Sequence, residues 1–314
     1  MLKKLAGLLF YGRFARAFSV LGYRQAEKDF EPLESDFTNQ IWLVTGASGG
    51  IGKAIALEAN ARGATVWAVA RSETKLNEAK ALATDPETFE TQVCDLSSLN
   101  EIRALVDQWP EGDDNRLSVL VNNVGVLPHH YQETVEGFET ALATNLLGPV
   151  LLTKTLTEQR RLRQDAVIIN VSSGGMYGTP LRLLPMTEPS IDEYDGVSLY
   201  AQHKRAMVAW THHWNKAHLR GPSMYVMHPG WVDTQGVQTS LPTFQKTLKG
   251  ILRTPSQGAD TVVWLADKRP SPPEAGIWLD RQNQPEHVFQ LTRHSRNSVD
   301  ELIDYLDTTL APWL

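Results

Sequence analysis

The amino-acid sequence predicts an α/β fold: a doubly wound, mostly parallel sheet of about seven strands in a single domain, with helices on both faces. Three observations lead there. Short apolar runs alternate with longer segments whose apolar residues fall at helical spacing. A glycine-rich turn, Thr45-Gly46-Ala47-Ser48-Gly49-Gly50-Ile51-Gly52, joins the first run to the first helical segment. The polar clusters all follow the ends of runs: 46–52, Arg71, Asp95, 122–125, Ser173 and 229–234. Alternation implies parallel strands with right-handed crossovers, and ligands of such sheets bind beyond the carboxyl ends of the strands. One domain with one site follows.

The elements come in this order. The run 41–45 is the first strand, and the helix over 50–61 carries Ala54, Ile55 and Leu57 at helical spacing. The valine-containing run 64–70 is a second, buried strand, followed by a helix over 73–83 and a third strand over 90–94. Leu99, Ile102, Leu105 and Val106 make an apolar stripe on a helix over 99–108. The fourth strand, 117–121, ends in Asn122-Asn123-Val124-Gly125 and precedes a long helix around 135–152. The fifth, 166–171, ends at Ser172-Ser173, and the helix over 198–216 then carries Tyr200 and Lys204. The sixth, 224–228, ends at Pro229-Gly230. Thr254-Pro255-Ser256-Gln257 reads as a capped helix start with proline in its first position, and 276–280 as a short seventh strand. Ser298-Val299-Asp300-Glu301 has the capping-box pattern and opens a last helix with the apolar face Val299, Leu302, Ile303, Leu306 and Leu310.

Composition narrows the function classes. Of 314 residues, 42% are apolar and 21% charged, as in ordinary soluble domains. A net charge of −6 leaves no basic surplus to neutralise phosphates, so no nucleic-acid partner is expected. The single cysteine, Cys94, excludes an intramolecular disulfide, fits a reducing, cytoplasmic setting and reads as a small buried apolar residue. No metal site is expected. No apolar run reaches membrane-spanning length, and Arg13 interrupts the early apolar stretch, against a secretory signal.

The chain divides into a basic amphipathic extension (1–36), the nucleotide-binding-type domain (37–285) and a carboxyl-terminal extension with one helix (286–314). Residues 1–24 carry Lys3, Lys4, Arg13, Arg16 and Arg24 and no acid, while Phe10, Phe14, Ala17, Phe18 and Leu21 fall at helical spacing. Two readings stay open: peripheral contact with a membrane surface, or docking of the stripe on the protein's own body or on a second subunit of a homo-oligomer.

Strand, glycine turn and helix start together form the phosphate cradle of a dinucleotide fold, the glycines serving sharp turning, close backbone approach and helix packing. With the downstream Ser173 and Tyr200-x-x-x-Lys204, the pattern resembles the short-chain dehydrogenase/reductase family over roughly residues 41–280. The matching segments are Thr45-Gly46-x-x-x-Gly50-x-Gly52, Asp95, Asn122-Asn123-Val124-Gly125 (with valine where the family usually has alanine), Asn145, Ser173, Tyr200-x-x-x-Lys204 and Pro229-Gly230. The stretches 170–176, 228–234 and 257–261 look closer to one branch of that family, the member-12 type.

The resemblance implies a Rossmann-type fold and an enzyme that interconverts a carbonyl and an alcohol by hydride transfer to or from a nicotinamide cofactor. Tyr200 would be the general acid/base, with Lys204 lowering its pKa and binding the cofactor ribose. Ser173 would orient the substrate oxygen, and Asn145 would support a water-mediated proton path through the lysine. The cofactor would lie along Gly46, Ser48, Gly49, Gly50, Ile51, Gly52, Arg71, Asp95, Leu96, Asn123, Gly125, Tyr200, Lys204, Pro229, Gly230, Val232 and Thr234. The second strand ends in Ala70-Arg71-Ser72 with no acid before Glu73, and an arginine there suits a 2′-phosphate, which favours NADP(H) over NAD(H). The segment 179–197 with Trp231 and 236–247 is long and apolar enough to roof a site for a small apolar carbonyl or alcohol. Two other functions compete: a non-catalytic NADP(H) sensor, which would not need Ser173, Tyr200 and Lys204, and an epimerase or dehydratase of the extended type, which usually carries a different glycine spacing.

Overall fold

Eight strands form one sheet in the order β3-β2-β1-β4-β5-β6-β7-β8. They are β1 Ile41–Thr45, β2 Thr65–Ala70, β3 Phe89–Val93, β4 Leu117–Asn122, β5 Leu162–Val171, β6 Ser223–Met227, β7 Ile277–Leu279 and β8 Gln282–Gln284. The first seven pair in parallel, and β8 is antiparallel to β7. This computed structural model describes Gly12 and residues 14–314. The sheet is therefore the predicted doubly wound type, with one strand more than expected. The extra hairpin turns on Asp280 and Arg281, both at positive φ (51° and 59°), as a two-residue primed turn demands. Neither residue is glycine. Long-range ion pairs hold them instead: Asp280 with Arg253 at 2.6 Å, and Arg281 with Asp260 at 2.6 Å.

The helices follow the chain as α1 Val20–Ala26, α2 Gly50–Ala61, α3 Glu73–Lys80, α4 Leu99–Asp107, α5 Gly148–Glu158, α6 Leu184–Thr187, α7 Gly196–Ala217, α8 Gln235–Ser240, α9 Pro242–Leu248, α10 Pro255–Lys268 and α11 Val299–Leu310. Helices α2, α3 and α10 bury Ile55, Leu76 and Val262 in a core with Val44, Val66 and Ile169. A second core unites Ile102, Leu151, Met207 and Leu306 from α4, α5, α7 and α11 with Leu120 and Ile168. The capping boxes of α10 and α11 form as read, with Gln257 and Glu301 reaching back to Thr254 and Ser298.

The long helix expected around 135–152 starts later and is not regular. Gly137 at φ +85° and the bridge between Glu133 and Glu139 turn the chain first. Glu139 then caps Ala141 and Leu142 from its buried carboxylate. A turn of α-helix at Thr140–Leu142 runs into a π segment, Ala143–Leu147, ahead of α5. Pro149 has no N–H to give to the carbonyl of Asn145 four residues back, a cause of such bulges.

At the amino terminus, residues 14–18 are helical and Ser19 caps α1. Phe14 and Phe18 are buried with Tyr177, Val226, Trp231 and Leu252 in a third core. The stripe thus docks on the protein's own body at these two positions, while Leu21 stays exposed; Phe10, Lys3, Lys4 and Arg13 lie outside the described residues. Among the described residues no helix is long and apolar enough to cross a membrane.

Two histidines are fully buried, His203 on α7 and His228 after β6, and burial brings each down to about 3 from an ordinary value near 6.5. Between those values the unfolded chain binds protons that the folded chain refuses, so their contribution is intact above pH 6.5 and is lost as pH falls toward 3. Each histidine removes up to about 1.4 kcal/mol of stability per pH unit in that window. Urea unfolding between pH 6.5 and 5 should show this decline; constant stability across that interval would contradict the buried, neutral state of both rings.

Candidate active site

The glycine turn leaves β1 through Gly46 at φ +69° and enters α2 through Gly50 at φ +53°, backbone states that favour glycine. A β-carbon at Gly52 would lie 2.3 Å from the Gly46 carbonyl oxygen and 2.5 Å from Asn123 Nδ2, so helix and turn pack closer than any side chain permits. Thr45 ties this turn to the end of β4. Its hydroxyl donates to the Val121 carbonyl and accepts from the N–H groups of Asn123 and Val124, while Asn123 Nδ2 donates to the Thr45 carbonyl at 2.8 Å. Gly49 caps α2 without a side-chain hydrogen bond, and a β-carbon there would meet open space. A helix start with free N–H groups facing open space fits a pyrophosphate. Ser48 and Ile51 flank it, and Thr234 closes it from the β6 side, its methyl 3.2 Å from where a Gly50 β-carbon would stand.

At the next strand ends, the mostly exposed Arg71 guanidinium sits 3.8 Å from Asp95. Asp95 also accepts from the N–H and hydroxyl of Ser97. Leu96 turns its side chain into the core, so only its backbone is available to a ligand.

The four residues expected to act on substrate come from three elements. Ser173 lies two residues past β5 and caps a short 3-10 turn, Gly174–Gly178; its hydroxyl accepts from the Gly175 N–H, and it is near enough to the Tyr200 phenol to lower its pKa. The neighbouring Ser172 is buried and donates inward to the Lys204 carbonyl. Tyr200 and Lys204 lie one turn apart on α7, with Lys204 Nζ 5.7 Å from the phenol ring centre. Lys204 is buried and donates to the Val171 carbonyl at 2.8 Å. Burial pushes Lys204 down to about 8. Burial raises the phenol, Ser173 beside it offsets part of that, and the ammonium is directed at Val171.

Asn145 sits in the π segment and brackets Val126, accepting from its N–H and donating to its carbonyl, both at 2.8 Å. Its Nδ2 also lies 3.4 Å from His203 Nδ1. Gly125 is the point where these parts meet: a β-carbon there would lie 3.4 Å from Lys204 Nζ and 3.6 Å from Asn145 Oδ1.

Beyond β6, Gly230 at φ +76° could not carry a side chain, because Arg253 Nε would lie 2.5 Å from its β-carbon. Pro229 and Val232 pack around Gly258 of α10, and Thr234 caps α8. In the segment expected as a roof, Leu181 and Met186 join the core while Leu184 and Ile191 are exposed, and Phe244 of α9 packs edge-on against Trp231. Sequence reading did not single out His203, Glu139 or Tyr194. Glu139 accepts a hydrogen bond from the Tyr194 hydroxyl at 2.9 Å, joining the loop after β4 to the segment before α7. The one available signal was the place of His203 beside Lys204.

Comparison with known proteins agrees with this arrangement. Residues 40–183 match the family model described as short chain dehydrogenase. The chain is 36% identical over 310 residues to dehydrogenase/reductase SDR family member 12 of Bos taurus, covering 95% of each chain. It is 32% identical over 236 residues to retinol dehydrogenase 12 of Homo sapiens, covering 72% of this chain and 73% of that one. Among solved structures, a short chain dehydrogenase from Burkholderia cenocepacia in complex with NADP superposes with a TM-score of 0.58 at 24% identity, covering 77% of this chain and 97% of the other. With its glycine turn and its serine, tyrosine and lysine on one sheet edge, the chain belongs to the short-chain dehydrogenase/reductase family of oxidoreductases.

Proposed function

We propose that the protein is an NADP(H)-dependent oxidoreductase that interconverts an apolar carbonyl and its alcohol, with Tyr200 as general acid/base. The observation that carries this reading is that Ser173 and the Tyr200 phenol come together beside the buried Lys204, on the same sheet edge as the glycine cradle. When bound, the nicotinamide supplies or takes the hydride. Tyr200 moves the matching proton at the substrate oxygen, and Ser173 holds that oxygen by hydrogen bonding. The phenol is protonated at neutral pH, and burial raises it further above its ordinary value near 10, which suits proton donation and therefore carbonyl reduction. Lys204 neutralises negative charge as the proton leaves and is well placed for a ribose hydroxyl near Gly125. Asn145 holds the loop after β4 through Val126, next to Lys204 at Gly125, where it supports a water-mediated proton path through the lysine.

Support for the cofactor choice comes from Arg71 at the end of β2, whose mostly exposed guanidinium, 3.8 Å from Asp95, can reach a 2′-phosphate. Support for an apolar substrate comes from Leu184 and Ile191, exposed in the segment between Ser173 and Tyr200, and from a relative named as a retinol dehydrogenase.

Replacing Tyr200 by Phe removes only the ionisable oxygen. Turnover with NADPH on a responsive carbonyl should fall by at least about a hundredfold with NADPH affinity unchanged. Full activity would remove the tyrosine from the chemistry. Arg71→Asp should move the ratio of NADPH to NADH efficiency by at least about tenfold toward NADH, since a charge-assisted contact is worth about 1.5–3 kcal/mol. A wild type that already prefers NADH in steady-state kinetics would contradict the cofactor assignment.

A further inference from the structure

We infer that Phe18 is a positioning residue for the active-site serine, and that the turn 14–19 is a built part of the site wall. The inference rests on the proposed role of Ser173. Gly174, the next residue, has no side chain, and a β-carbon there would lie 2.6 Å from Phe18 Cε2. The ring therefore lies directly against the backbone that carries the serine. The same ring meets His228 edge-on at 4.5 Å and Trp231 at 5.9 Å, and stacks on Tyr177 at 5.8 Å. Its backbone carbonyl accepts from the Trp231 N–H at 2.7 Å. One residue thus bridges the loop after β5 and the loop after β6, which follow two neighbouring strands of the sheet.

Arg253 fixes Phe18 in that place. The guanidinium is fully buried, forms a two-point pair with Asp280, and donates to the carbonyls of Ala17, Phe18 and Ser19 as well as Pro229. The Phe18 and Ser19 carbonyls also accept from the Trp231 and Tyr23 N–H groups, so Arg253 reinforces a turn already bonded to the body. The clamp also explains Gly230: its β-carbon would stand 2.7 Å from the Phe18 carbonyl oxygen as well as against Arg253. Without the ring, the turn Gly174–Gly178 has only glycine at the contact and room to relax. A displacement of about 1 Å in a reacting geometry can cost about a hundredfold in rate.

A double-mutant cycle separates positioning from plain core packing. Phe18→Ala, Gly174→Ala and the double variant are compared with wild type and with Phe89→Ala, a core truncation on the edge strand β3, below the melting temperature of all five. Two readouts are taken: kcat and KM for NADPH with 4-nitrobenzaldehyde as probe, and amide hydrogen exchange over 171–178, which needs no substrate. Each single change should lower kcat by at least about tenfold and accelerate exchange, with KM for NADPH little changed. In the double variant the new methyl fills space the ring vacates, so kcat should exceed the product of the single effects by at least about tenfold. Phe89→Ala should keep wild-type kcat and exchange over 171–178. If Phe18→Ala does not fold, Phe18→Leu takes its place in the same cycle. Additive single effects, or unchanged exchange in the residue 18 variant, overturn the inference. Tyr200→Phe distinguishes the two failures: retained activity there overturns the functional reading itself, whereas an inactive Tyr200→Phe beside a fully active Phe18→Ala overturns only the role of Phe18.

Discussion

The site depends on how the ends of β1 and β4 are joined. At β1 the strand order reverses, with β2 on one side and β4 on the other, and this opens a crevice beyond the carboxyl ends. Thr45 and Asn123 bind the two strand ends to each other by side-chain and backbone hydrogen bonds. Gly52 then seats α2 against that junction at a distance that excludes a β-carbon. The direction of α2, the opening above Gly49 and the position of Gly125 next to Lys204 all follow from the same junction. A side chain at Gly52 would disturb the cradle and the Asn123 amide together.

The other wall of the crevice is organised by buried charge. Arg253 and Asp280 draw together the amino-terminal turn, the loop after β6 and the β7–β8 hairpin. Arg281 and Asp260 secure the same hairpin to α10, with the Arg281 guanidinium 4.2 Å from the Phe30 ring centre. Removing one partner of a buried pair leaves an uncompensated charge, which typically costs about 3–5 kcal/mol. The two residues at positive φ in the hairpin are thus held by partners distant in sequence, and the amino-terminal segment belongs to the same network.

Most of the fold was legible because its signals are local. Apolar runs, helical stripes, the glycine turn and both capping boxes depend on neighbours a few residues apart. The misses share a non-local cause. β8 is the polar stretch Gln282-Asn283-Gln284 behind a turn without glycine, and only ion pairs to Arg253 and Asp260 make that turn tenable. The helix expected from 135 was displaced by Gly137 and by the cap from Glu139, and its π segment arises at Pro149. In the site, residue types and order were readable, but electrostatics were not. That Lys204 Nζ is directed at the Val171 carbonyl, and that burial raises the Tyr200 phenol, depends on packing that spacing alone does not contain. The docking of Phe14 and Phe18 was one of two readings of the amino-terminal stripe, and the glycine at 174 that receives Phe18 gave no sequence cue.

The central claim is that this sheet edge transfers hydride between nicotinamide and a carbonyl carbon. Isotope transfer tests it directly. Wild-type protein is incubated with NADPH deuterated at the transferable C4 position and a panel of apolar aldehydes and ketones, and the products are read by mass spectrometry. The account predicts an alcohol carrying one deuterium on the former carbonyl carbon. Protein that binds NADPH yet delivers no label to any carbonyl in the panel, or yields alcohol without the label, would contradict it.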